Sequence, residues 1–413
     1  MKMFKKIVTF IAISVLLFIF SGCTLTLAPT DDTTNEKSGY ITSTETWSGT
    51  TPFSANDVHI SGCNVTWETG ITVIVTGILH VDNNGTLNIK EGVTVKFNKD
   101  AYIEVANSGS GTLQALGTST KPILFTKNDG VSVWGFNDGS SNFSGGIWFN
   151  EASTTLCRLH NCIVEYAASG VTLQNCQAAI SSSVFRNNKF LGINFEDDVA
   201  KPDTSVYRFT GNTIYGNGSY PIRISPQSAG YICTGNTLTG NTNDMIYLEK
   251  AGYIDEGTVI WRNHGIPYFV YNDVRIKDNG SLIIQPGISI KMNAQAYFDI
   301  ANTGSATFVA NGTALDSIKF SAYTLGAKWG FNPTSSTYTG GLWFNSGSTD
   351  FCSISYAVIE DATAGIYLGK RVNITNSRIS NSKYYGIIAE EQSYLPSGIR
   401  YTGNSLDSTY YVP

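Results

Sequence analysis

The sequence predicts an all-β solenoid in two similar tandem halves, and three observations predict it. The first is a long internal echo. Trp134-Gly135-Phe136-Asn137 recurs as Trp329-Gly330-Phe331-Asn332, and the same 195-residue offset carries 92–97 onto 287–292, Gly145-Gly146-Ile147-Trp148-Phe149-Asn150 onto Gly340-Gly341-Leu342-Trp343-Phe344-Asn345, Cys157 onto Cys352 and Glu165 onto Glu360. One residue is lost near Arg371, so Gly192-Ile193 aligns with Gly386-Ile387. An echo this long at a fixed offset is the signature of a repeat architecture. The second is a train of short apolar alternations bounded by Gly, Asn and Asp, which reads as short strands. The third is their spacing. Gly70 and Gly92 lie 22 residues apart, and Gly146, Gly170 and Gly192 follow at 24 and 22, about one turn of a three-sided coil.

Composition bounds the function. Charged residues make up 14% and the net charge is −5, which argues against a nucleic-acid partner, since that needs a basic stripe. A hydrophobic fraction of 42% is enough for a large core and argues against disorder.

In chain order, Lys2, Lys5 and Lys6 precede a 14-residue apolar run, Ile7 to Phe20, shorter than the ~20 residues of a spanning helix. It ends in Phe20-Ser21-Gly22-Cys23, which resembles a bacterial lipoprotein signal with its lipobox. The resemblance implies that residues 1–22 are removed, that Cys23 carries the lipid, and that the protein is membrane-anchored in the cell envelope, at the outer membrane or cell surface. Residues 23–46, rich in Thr, Ser and Asp, read as a flexible tether. Residues 47–255 are the first half and 256–413 the second.

From Trp47 the alternations begin: Val58-His59-Ile60, Val65-Thr66-Trp67, Leu79-His80-Val81, Leu87-Asn88-Ile89, Val93-Thr94-Val95-Lys96-Phe97 and onward. A unit this short cannot bury its own apolar face, so stacked coils must share an inner column. Asn187, Asn212, Asn236, Asn381 and Asn404 fall where turns are expected and can bond to neighbouring amides in a ladder. The block Gly85-Thr86-Leu87-Asn88-Ile89…Gly92-Val93-Thr94-Val95-Lys96-Phe97 and the run Ile163-Val164-Glu165-Tyr166-Ala167…Gly170-Val171 resemble right-handed parallel β-helix repeats of the pectin-lyase-like architecture. That architecture hosts lyases, hydrolases, adhesins and stalks alike, so function must come from the site. A boundary is expected near 252–267: Trp261…Pro267 there parallels Trp47…Pro52, as if each half opened a new helix.

The duplicated segment between Trp134 and Trp148 is the candidate ligand site: Trp134, Phe136, Asn137, Phe143 and Trp148, with Trp329, Phe331, Asn332, Tyr338 and Trp343 in the second copy. Rings beside amides and hydroxyls suit a sugar, whose CH faces stack while its hydroxyls bond. The plainer reading is that Trp134 and Trp148 plug the column. A polysaccharide or a surface protein is the expected partner.

No catalytic residue, metal or cofactor is assigned. Glu165 and Glu360 are strictly shared acids without a retained partner acid, which a glycosidase pair requires. Polygalacturonases of this architecture carry an Asp pair, Gly-His-Gly and Arg-Ile-Lys. Here Asp197-Asp198, Asn263-His264-Gly265 and Arg275-Ile276-Lys277 imitate them imperfectly, the histidine motif departing at its first residue. His59, His80, His160 and His264 have no counterparts between copies, which argues against a histidine metal site. Without a C-x-x-C pair, Cys63, Cys157, Cys162, Cys176, Cys233 and Cys352 read as buried thiols. A lyase or hydrolase and a purely structural stalk remain the alternatives to a binding role.

Overall fold

Fifteen strands stack in one unbroken parallel ladder from Glu36–Ile41 to Arg400–Thr402, one strand per coil. The computed structural model describes residues 35–137, 144–196, 209–249, 252–331 and 338–412, and residues 36–413 form one unit. The fold is a right-handed all-β parallel solenoid of about 15 turns. Cys23, with the rest of residues 1–34, lies outside the described residues. Within the 23–46 segment expected to be a tether, residues 36–41 are a strand and the strand 45–47 begins. Glu36–Ile41 already pairs with Phe53–Ser61, and Glu45–Trp47 with Asn64–Trp67. The Ser- and Thr-rich composition misled here, because ladder hydrogen bonds to the next coil, not an apolar pattern, hold an end strand.

Period-2 alternation sends one set of side chains inward on every side. On the long ladder the inward set is Leu79, Ile103, Ile147, Val171, Ile193, Ile222, Ile246, Tyr268, Ile290 and Phe320, stacked in register and fully buried. Truncating one such Ile to Ala leaves a cavity and costs about 2–5 kcal/mol. In the first half two shorter ladders complete the coil. One runs from Thr72–Val75 to Thr213–Tyr215, the other from Glu45–Trp47 to Ala179–Ser181. In the second half their places are taken by a seven-strand ladder from Gly252–Ile254 to Thr409–Tyr411 and a five-strand ladder from Thr258–Trp261 to Asn373–Thr375.

At 252–267 strand pairing does not stop. Ile246–Leu248 pairs with Tyr268–Val270, which pairs with Ser289–Met292. What changes is phase. Ile78–Asp82 belongs to the long ladder, but its repeat equivalent Val274–Ile276 belongs to the seven-strand ladder. Thr94–Phe97 belongs to a short ladder, but its equivalent Ser289–Met292 sits in the long one. The second copy has stepped one side around the coil. Trp47 and Trp261 are both buried, Trp261 stacked on Tyr268 at 5.1 Å and donating Nε1–H to the Pro226 carbonyl.

Asparagines pin the turns in two ladders. Asn212 accepts from Ser183 N–H, and Asn236 accepts from Asn212 N–H and Nδ2–H. Asn188, Asn217 and Asn241 form a second run, with Asn217 Oδ1 taking both Asn188 N–H and Nδ2–H. Asn404 bonds to Ser382 N–H, whereas Asn187 and Asn381 supply left-handed backbone, at φ 56° and 55°. All six described cysteines are free thiols. Cys157 and Cys352 do the same job in each copy: Sγ accepts the Leu113 or Phe308 N–H at a corner.

Candidate functional site

The duplicated loop stands on a stem. Phe136–Asn137 pairs antiparallel with Ser144–Gly145, and Phe331 bridges Gly340 in the same way. Phe143 and Asn332 lie outside the described residues. Beneath each stem sits an indole. Trp134 is fully buried, stacked on Phe97 at 3.9 Å, with Nε1–H donated to the Glu165 carbonyl at 2.8 Å. Trp329 is fully buried too and donates to the Glu360 carbonyl at 2.8 Å. The double glycine exists for these rings: a Cβ on Gly146 or Gly341 would lie 2.6 Å from the indole. Gly135 and Gly330 turn at φ +94° and +107°, where other residues are strained. Trp134 and Trp329 therefore present no ring face to a ligand. They plug the corner, and as site residues they are corrected to core.

The exposed rings are others. Phe136 meets Trp148 edge-on at 5.9 Å and Tyr102 at 6.1 Å. Phe331 meets Trp343 edge-on at 5.5 Å and Tyr297 at 5.4 Å. Phe136 and Phe331 are 39% and 37% exposed, while Trp148 and Trp343 are half-buried. Each copy thus carries the same Tyr–Phe–Trp platform. Tyr102 and Tyr297 escaped the sequence reading because they lie on the preceding coil, although the 195-residue offset relates them as well. Asn137 is half-buried in the first stem. Tyr338 is 50% exposed, 6.4 Å from Tyr367, which stacks on Trp343 at 4.1 Å. Because of the phase step, the two platforms do not share one ladder: Trp148 stands on the long ladder and Trp343 on the seven-strand ladder.

Around the second platform lies a groove of about 550 Å³ lined by Tyr271, Asp273, Arg275, Asn293, Tyr297 and Phe331. Arg275 pairs with Asp273 at 3.3 Å, and burial pushes the Asp273 carboxyl up against the pull of that guanidinium. Asn345 and Asn302 donate to the Asp299 carboxylate at 2.8 Å each.

Around the first platform the outward column of the long ladder reads Tyr40, His59, His80, Glu104, Trp148, Thr172, Asn194, Arg223, Tyr247 and Phe269 in register. Its middle is buried although it points outward. Thr172 donates to the Ser144 carbonyl of the loop stem, and Arg223 bridges Glu249 and Asn194. Tyr220, Tyr247, Phe269 and Tyr323 then form a stack with spacings of 4.5, 5.5 and 4.2 Å. Burial, with Glu104 beside it, pushes the Tyr102 hydroxyl up to about 12.

The retained acids are occupied. Glu165 accepts from Thr126 and from Arg186 at 2.7 Å; Glu360 pairs with Lys319 at 2.5 Å. Among the described residues no second carboxylate pairs with either; Glu360 also meets Arg378 at 3.8 Å. The polygalacturonase-like residues do not assemble either. Arg275 points outward on the seven-strand ladder, Lys277 pairs with Asp278, and His264 sits in a turn where burial, then Arg262, lowers its pKa to about 4. Asp197 and Asp198 lie outside the described residues.

Residues 145–319 match the family model described as right handed beta helix region, and residues 58–135 match the one described as pectate-lyase like beta helix domain. No curated protein and no solved structure matches the chain.

Proposed function

We propose that this right-handed parallel β-helix of pectate-lyase-like architecture is a polysaccharide-binding module of the cell envelope, anchored through lipidated Cys23. The observation that carries the reading is the duplicated surface cluster Tyr102–Phe136–Trp148 and Tyr297–Phe331–Trp343, with Phe136 and Phe331 exposed and the other rings half-buried, flanked in each copy by an acid, Glu104 or Asp299, held by Asn150 or Asn345. Flat rings take sugar CH faces, and fixed carboxylates and amides take hydroxyls. Two platforms on different sides of one rod suit a branched or multichain ligand better than a single extended strand.

The test is a glycan-array screen of the Cys23→Ser chain beside Phe136→Ala/Phe331→Ala. Binding by the parent that falls at least tenfold in the folded double variant supports the platforms. Binding untouched by the substitutions rejects them as the site. Loss of metabolic labelling by a fatty-acid analogue in Cys23→Ser checks the anchor.

The enzymatic alternative, a polysaccharide lyase or hydrolase, is favoured by one feature: Arg223 is buried on the outward face with Glu249 and Asn194 as its partners. Release of unsaturated or reducing ends from a polysaccharide panel, abolished by Arg223→Gln, would decide for it. The structural stalk is left if neither binding nor turnover is found.

A further inference from the structure

Near the N-terminal end of the long ladder, four side chains with ligating atoms converge. His59 and His80 stand in register on adjacent coils, and their rings stack at 4.3 Å with 9° between planes. Asp82 follows His80 by two residues on the same strand, so both project from one face. Asp82 Oδ2 lies 3.9 Å from Nδ1 of each histidine. Glu104, in register with His80 on the next coil, places Oε2 3.2 Å from His80 Nδ1.

We propose that His59 Nδ1, His80 Nδ1 and Asp82 Oδ2 bind a divalent transition-metal ion of the zinc type, with Glu104 beside the remaining coordination position. The three ligand atoms all lie within 4.8 Å of one another. Bonds of about 2.1 Å in a tetrahedral site put ligands roughly 3.4 Å apart, so side-chain shifts well under a coil spacing close the site. Two imidazoles and a carboxylate are the donor set of zinc rather than calcium, which takes oxygen ligands.

Two further observations point to a ligand. His80 Nδ1 is buried, and its 3.2 Å contact with Glu104 Oε2 lacks hydrogen-bond geometry, so the atom faces two carboxylates without a directed bond. Asp82 is buried and already fixed by the Ser108 N–H on Oδ1, which leaves Oδ2 directed at the histidines; metal sites use this kind of supporting bond. The equivalent positions of the second copy hold no such cluster. Arg275 and Lys277 stand where His80 and Asp82 stand in the first, so cations replace two ligands. This is why comparison of the copies hid the site: it belongs to one of them.

The experiment is calorimetric titration of the tag-free full chain, freed of metal by chelator, with Zn²⁺, and separately with Co²⁺ and Ca²⁺. One equivalent of Zn²⁺ should bind, raise the unfolding temperature by several degrees, and be displaced by chelator. Co²⁺ should give the visible absorption of a nitrogen-ligated site. His59→Ala and His80→Gln should each weaken Zn²⁺ at least tenfold, and His160→Ala should not. Circular dichroism and metal-free unfolding temperature verify that each variant is folded; if either fails, His59→Gln and Asp82→Asn serve in its place. Absence of stoichiometric Zn²⁺ binding overturns the proposal. So does binding that both histidine variants retain, or Ca²⁺ binding as tight as Zn²⁺.

Discussion

The two copies agree inside and at the loop platform, and disagree along the rest of the outward face. In both, a tryptophan plugs the corner under a loop stem, bonded to a glutamate carbonyl and seated on a glycine, and a Tyr–Phe–Trp platform stands above it. The outward columns then diverge. His80, Glu104, Trp148, Thr172 and Asn194 in the first copy become Arg275, Asp299, Trp343, Tyr367 and Ile388 in the second. The first column is polar and bonded to its loop stem, while the second ends in an apolar cluster of Ala364, Tyr367 and Ile388 backed by Trp343, Tyr385 and Tyr410. Inward positions are constrained by close packing, where a single methylene is felt. Outward positions answer only to what they touch.

Four pairs of substitutions would break or sharpen this comparison, taken from the largest effect down. Trp134→Ala and Trp329→Ala should each cost about 3–5 kcal/mol in urea unfolding, and by similar amounts, because the two plugs are equivalent. A clear inequality would mean that the copies share a motif but not a load.

The second test uses His264, which stands where the first copy has exposed Thr69. Burial lowers its pKa from 6.5 to about 4. The unfolded chain therefore binds a proton that the folded chain refuses, and stability falls as pH drops from 6.5 toward 4. The loss reaches about 3 kcal/mol at most, less whatever solvent screens. Unfolding measured across that window should flatten in His264→Gln and be unchanged in Thr69→Ala.

The shared acids come third. Glu165 is held by Thr126 and by two Arg186 nitrogens with 11% side-chain exposure, whereas Glu360 pairs with a more exposed Lys319. Glu165→Ala should cost about 2 kcal/mol and Glu360→Ala about 1 or less. Equal costs in thermal unfolding would remove the distinction. Last, Phe136→Ala and Phe331→Ala should each change stability by under about 1 kcal/mol, since exposed substitutions touch little of the core. A larger loss would recast the platforms as packing.

Some of this was legible in the sequence. Period-2 alternation named the inward residues correctly, and the 195-residue echo located both loops. Ring type could not say which aromatics were free. Trp134 and Phe136 are two residues apart in one motif, yet one is fully buried and the other 39% exposed, because Gly135 turns the chain between them. Agreement between copies pointed to Glu165 and Glu360, whose carboxylates are spent on ion pairs, and away from His59 and His80, which only the register of adjacent coils brings together.

The sequence by itself determined the all-β coil, its period and its duplication, since alternation and turn residues are local and repeat with the chain. Only the tertiary structure decided that the second copy steps one side around the coil, so that equivalent loops leave from different ladders. The step is set where Ile246–Leu248 meets Tyr268–Val270, a hydrogen-bonded register between coils. No local pattern encodes such a register, because every inward-facing strand offers its neighbour the same apolar face and the same backbone bonds.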